Sequence, residues 1–128
     1  MWLRIDDRLH SHPKIRRAWQ ANRDAVGLHF LALSYVADKL TDGYVDLTFL
    51  RDQFPEMAEA QRAVSVLVSA GLWETSGEGW VIHDWLRYND SAAGIRARRE
   101  AREAKRALNR RLLDEADRRG PRPPGTGR

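Results

Sequence analysis

The sequence predicts a mainly α-helical domain with a small β-hairpin, followed by a basic helix, and three observations carry that expectation. Apolar residues recur at helical spacing through "IRRAWQ", "AVGLHFLALSYVA" and "AVSVLVSAG". One hairpin pattern, "LWETSGEGWVIHDW", sets turn residues between two aromatic-bearing runs. The charge also changes sign along the chain. Up to Asp90 there are ten Lys/Arg and thirteen Asp/Glu, a net −3, whereas Ser91 onward carries twelve and five, a net +7. The 128 residues, 42% hydrophobic and 31% charged, suffice for one core with an appendage.

Each element has its own signal. "SHPKIRRAWQAN" reads as a first helix, with Ser11 as its cap, Pro13 in its first turn, and Ile15, Ala18 and Trp19 at helical spacing. In "RDAVGLHFLALSYVADKL" a stripe of Val26, Phe30, Leu33 and Ala37, widened by Leu31, Tyr35 and Leu40, predicts a central buried helix. "TDGYVDL" gives a turn and a short extended run over Tyr44, Val45 and Asp46. "LTFLRDQFP" is a short helix ended by Pro55. "EMAEAQRAVSVLVSAG" gathers Ala60, Val64, Leu67, Val68 and Gly71 on one side, with Gly71 as the stop. "LWET" and "GWVIHDW" around "SGEG" form a tight hairpin, in which Trp73, Trp80 and Trp85 suit a half-exposed ribbon packed on helices.

That order is the order of a winged helix-turn-helix, with "LTFLRDQF" as the supporting helix and "MAEAQRAVSVLVSAG" as the recognition helix. Residues 1–90 form this domain, residues 91–119 a basic helical arm, and residues 120–128 a flexible Pro/Gly-rich tail. The strings "HPKI", "TDGYV" and "AVSVLVSAGLWE…GWVIHDWLRYN" resemble the N-terminal winged-helix domain of phage replisome organisers and DnaD-like replication initiators. They resemble still more the helix-turn-helix DNA-binding proteins of actinobacterial phages and prophages. The likeness covers Met1 to Asn89 and implies DNA binding at a replication origin or operator, without catalysis. It carries over the recognition-helix position of Arg62 and the wing.

From the residues themselves, the outward face of the recognition helix holds Ala58, Arg62, Ser65 and Ser69. Small side chains there admit the helix deep into a major groove, where Arg62 forks onto guanine and Ser65 or Ser69 reaches base or phosphate. Lys14, Arg16 and Arg17, with Trp19 nearby, suit a backbone phosphate. In the arm, Arg98, Arg102, Arg106 and Arg110 recur four residues apart, a like-charge stripe that a polyanion relieves. Arg96/Glu100 and Arg99/Glu103 are opposite-charge pairs beside it.

Catalytic and ligand-binding classes find little support. Zero cysteines exclude disulfides and thiolate metal sites, His10 and His12 lack a second ligand cluster, and no Gly-rich phosphate loop is present. His29, inside an apolar helix, reads as a packed, hydrogen-bonded histidine, and His83-Asp84 as a structural pair. No cofactor, metal or small-molecule substrate is expected. Nor is a membrane span or signal peptide, which gives a cytoplasmic reading.

Two functions compete. One is a duplex DNA-binding protein of phage replication initiation or transcriptional regulation. The other is a winged helix that binds another replication protein or itself without touching DNA. The acidic body, Glu78 at the wing tip and the single recognition-helix arginine favour the second.

Overall fold

A computed structural model describes residue 3 and residues 5–120, with Tyr88 described in its backbone only. The tail expected at 120–128 therefore lies, after Gly120, outside the described residues. The chain divides into two compact units, Met1–Ala92 and Ala93–Arg128.

The first unit begins with a 3₁₀ turn, Leu9–Ser11, and continues through α1 (Pro13–Ala21), α2 (Arg23–Lys39), β1 (Tyr44–Val45), α3 (Leu47–Gln53) and α4 (Met57–Ser69). The strands β2 (Trp73–Ser76) and β3 (Gly79–Ile82) and the short α5 (Trp85–Tyr88) follow. One long helix, α6 (Ala92–Arg119), supplies the second unit. The chain is thus mainly helical with a small antiparallel sheet. Among the described residues no helix is long and apolar enough to cross a membrane.

Local chemistry sets the helix ends. His12, not Ser11, caps α1, because Pro13 occupies the first turn and the His12 side chain is the one that accepts from the Lys14 N–H, at 3.2 Å. Asn22 caps α2 through the Asp24 N–H at 3.0 Å. Asp46, expected in the strand, caps α3 instead: Oδ1 accepts from Phe49 N–H at 2.7 Å and Oδ2 from the Tyr35 hydroxyl at 3.0 Å. Gly71, at φ +80°, ends α4, with its N–H on Val68 O and the Leu72 N–H on Leu67 O. These paired bonds satisfy two carbonyls of the last turn, and the left-handed residue between them is what glycine supplies at least cost.

The buried stripe of α2 runs through Ala25, Leu28, His29, Ala32 and Val36, with Val26 and Ala37 beside it. Phe30 and Leu31, expected inside, are 38% and 53% exposed. Small residues let α2 approach α1 and α4 closely, and this selects the alanine-bearing side over the one with the largest apolar side chains. His29 joins the core because its ring accepts the Trp73 indole N–H at 3.0 Å.

β3 is central to a three-stranded sheet of order β1-β3-β2, in which Tyr44 pairs with Val81 and Trp73 with Ile82. The hairpin closes through Gly77-Glu78, with Gly77 at φ +57°. At Gly79 an added Cβ would stand 2.5 Å from the Val45 carbonyl, so only glycine lets β1 lie this close. Two tryptophan expectations change. Trp73 is 1% exposed, a core residue, and Trp85 belongs to α5, because β3 stops at Ile82. Trp80 stays half-buried, its ring centre 6.4 Å from that of Trp73.

Candidate nucleic-acid interface

The inward face of α4 is Ala60, Ala63, Val64 and Leu67, which leaves Ala58, Gln61, Arg62, Ser65 and Ser69 exposed. Arg62, Ser65 and Ser69 stand three and seven positions apart and share one side of the helix. A groove of about 380 Å³ borders this side, lined by Arg17 and Ala21 of α1 and by Ser65, Val66, Ser69 and Ala70. A second, of about 560 Å³, flanks α4 toward the sheet, with Gln61, Ser65, Ser69, Thr75 and Trp80 in its lining. Ser65 and Ser69 therefore form a low ridge between two grooves. Neither side chain is long enough to hold another surface away from the α4 backbone.

The structure brings Arg17 to Ser65 and Ser69 and sends Lys14 elsewhere. The Lys14 ammonium donates to the Gly71 carbonyl at 3.2 Å, tying the start of α1 to the end of α4. A cation there also complements the negative pole of α4. Lys14, grouped in the sequence with Arg16 and Arg17, is thus set apart from them in the fold, with its ammonium engaged at a partly buried joint. Arg16 is exposed but lines neither groove. Trp19, 42% exposed, lies under the Arg23 guanidinium at 5.2 Å and is likewise absent from the grooves. Arg62 is exposed on the α4 face without entering either lining.

The β2–β3 hairpin has a different character. His83 sits between two carboxylates, with Nδ1 on Glu74 and Nε2 3.2 Å from Asp84, and Arg87 reaches the same Asp84 oxygen at 3.8 Å. This chain of groups is substantially exposed, so it stitches β2 to the start of α5 with little net stabilisation. Glu78 in the turn is exposed and, among the described residues, makes no ion pair. A carboxylate at the hairpin tip repels phosphate.

In α6, Arg98, Arg102, Arg106 and Arg110 are all exposed. Successive members are about 6 Å apart along the axis, given a rise of about 1.5 Å per residue. Arg98 also donates from Nε to the Gly94 carbonyl at 3.4 Å. The Arg96/Glu100 and Arg99/Glu103 pairs do not close into ion pairs. Glu-to-Lys/Arg order is the favourable one on a helix, and these pairs run the other way.

Sequence reasoning passed over Gln61 and Thr75. Gln61 lies about 100° round the helix from Ala60, a flank that wheel counting leaves ambiguous. Its amide is nonetheless a side chain that pairs with adenine. Thr75 has no signal in the sequence, because the hairpin pattern marks turn residues and tryptophans and not which polar side chain borders a groove. Among the described residues, no group of three or more His, Asp or Glu is placed to hold a metal ion. Comparison with models of known protein families, with curated proteins and with solved structures gives no match.

Proposed function

We propose that the protein is a winged helix-turn-helix that binds duplex DNA, with α3 supporting α4 and α4 lying in the major groove. The observation that carries this reading is the ridge of Ser65 and Ser69, exposed beside Arg62 and Gln61 and bordered by Arg17. Arg62 and Gln61 read guanine and adenine edges, Arg17 holds a flanking phosphate, and the arginines of α6 engage further phosphates without regard to sequence. The sequence resemblance points this activity toward phage or prophage replication initiation or regulation.

The competing reading, an interaction module for a replication protein or a second copy, is favoured by Phe30 and Leu31 exposed on α2 and by the carboxylate at the hairpin tip. Selection from a random duplex library separates the two. Enrichment of a defined site, with Arg62→Ala relaxing the preference at one base pair by about 1–3 kcal/mol, is the expected result. Failure of the full chain to retain any duplex at low salt would transfer the assignment to the interaction module.

A further inference from the structure

Away from both grooves, the first unit holds a cavity of about 610 Å³, within the range of small-molecule sites. Its walls include Leu9, Ile15, Leu33, Leu72, Ile82 and Trp85, and it shares no lining residue with the grooves beside α4. His29 also lines it.

His29 is 4% exposed and accepts the Trp73 indole N–H on Nδ1. In the neutral imidazole that acceptor fixes the proton on Nε2, which is then a donor. Among the described residues nothing accepts from Nε2. Yet among the described residues no buried side-chain nitrogen or oxygen is sealed off without a partner. Because His29 stands in the cavity wall, a partner for its Nε2–H can be supplied from the cavity. Burial holds the ring neutral by lowering its pKa to about 4.

The charged groups round the cavity are already engaged. Lys14 Nζ donates to the Gly71 carbonyl, Asp6 Oδ1 accepts from the Arg8 N–H, and Asp84 meets His83 and Arg87. His12 Nδ1 accepts from the Lys14 N–H. The lining also holds the polar side chains of His12, His83 and Asn89, but His29 is the buried one, so its Nε2–H is the donor set deepest in a mainly apolar wall. We propose that this cavity binds a small uncharged molecule with an apolar body and one carbonyl oxygen, the carbonyl accepting from His29 Nε2–H while the body packs on Leu33, Leu72 and Trp85. The site is independent of DNA binding.

Acetophenone, ethylbenzene and benzoate probe the three features separately: carbonyl with apolar body, apolar body alone, and apolar body with charge. Each is titrated into isotope-labelled full-length protein, following the His29 ring signals, the Trp73 indole N–H and the Leu33 and Leu72 methyls. Acetophenone is expected to give saturable shifts at these positions and to bind about fivefold more tightly than ethylbenzene, the worth of one neutral hydrogen bond. Benzoate is expected to be weaker than acetophenone. His29→Phe brings the acetophenone-to-ethylbenzene ratio to about one, while Leu33→Trp, which fills the cavity and keeps His29, abolishes binding of both; if His29→Phe does not fold, Leu33→Trp carries the test alone. Absence of saturable shifts at millimolar acetophenone would mean that the cavity holds only water and would overturn the proposal. So would equal affinity for ethylbenzene, a preference for benzoate, or binding retained by Leu33→Trp.

Discussion

In the first unit Trp73 is 1% exposed and its indole N–H is bonded to His29, whereas in α6 Leu108, Leu112 and Leu113 are 47%, 51% and 67% exposed. Charge is distributed the other way. The residues up to Asp90 carry a net −3, and those from Ser91 a net +7. One region is held by packing, caps and glycine-dependent close approaches. The other is helical through its run of good helix formers, with charge on every side. In this chain the groups able to attract a polyanion are concentrated where packing constrains the sequence least. Substitutions should therefore separate into those that unfold the body and those that alter charge without disturbing it.

The largest effect is expected at Trp73. Trp73→Ala removes a fully buried ring and leaves the His29 Nδ1 unpaired, at a cost of about 3–5 kcal/mol in chemical denaturation. Trp80→Ala, at a half-buried position, should cost about 2 kcal/mol. Leu112→Ala should stay within about 0.5 kcal/mol. A loss at Leu112 comparable to that at Trp80 would break the contrast between the two units.

Next comes the acid response of His29. Its pKa is lowered by burial from 6.5 to about 4, so below 6.5 the unfolded chain binds a proton that the folded chain refuses. The associated stability is fully present above pH 6.5 and is lost as pH falls toward 4, amounting to roughly 3 kcal/mol by linkage. His29→Leu should flatten unfolding free energy over that window relative to the parent protein. An unchanged slope would show that His29 is accessible to protons in the folded state.

Smaller again is Lys14→Met, which keeps the stem but removes the bond to the Gly71 carbonyl. It should cost about 1 kcal/mol of stability while leaving the salt dependence of DNA binding unaltered. Arg17→Ala should do the reverse, within about 0.5 kcal/mol in stability but with a salt slope lower by about 0.9. Measured side by side, the two variants distinguish a joint of the fold from a phosphate contact on the same helix.

The helices and hairpin were legible because their signals are local: Pro13 at a helix start, Pro55 after a helix end, Gly71 at a stop and Gly77 in a turn. The face of α2 was not, because periodicity alone favoured Phe30 and Leu31 as strongly as the alanines that pack against the neighbouring helices. Only the tertiary approach distance decides between them. The sequence pattern places Asp46 in a strand for a related reason, since its cap and its bond to Tyr35 depend on where α3 and α2 come to lie. For the candidate interface, the exposed side of α4 followed from its buried side, and Arg62, Ser65 and Ser69 stand there. The separation of Lys14 from Arg17 did not follow, because two cations three residues apart on one short helix differ only in what α4 presents to each of them.

In the proposed binding mode, duplex DNA is held by the body and by the arginine stripe of α6 together. The most direct test of that mode is affinity for duplex DNA over a salt series, comparing the full chain with the same chain bearing Arg98→Gln, Arg102→Gln, Arg106→Gln and Arg110→Gln. Glutamine keeps the helix propensity and removes the charges, together with the Arg98 bond to the Gly94 carbonyl. The slope of log K against log salt is expected to fall in magnitude by about three to four units, at roughly 0.9 per phosphate released. Affinity should weaken equally for selected and scrambled duplexes. An identical slope for the two proteins, or no duplex binding by the parent at low salt, would contradict it.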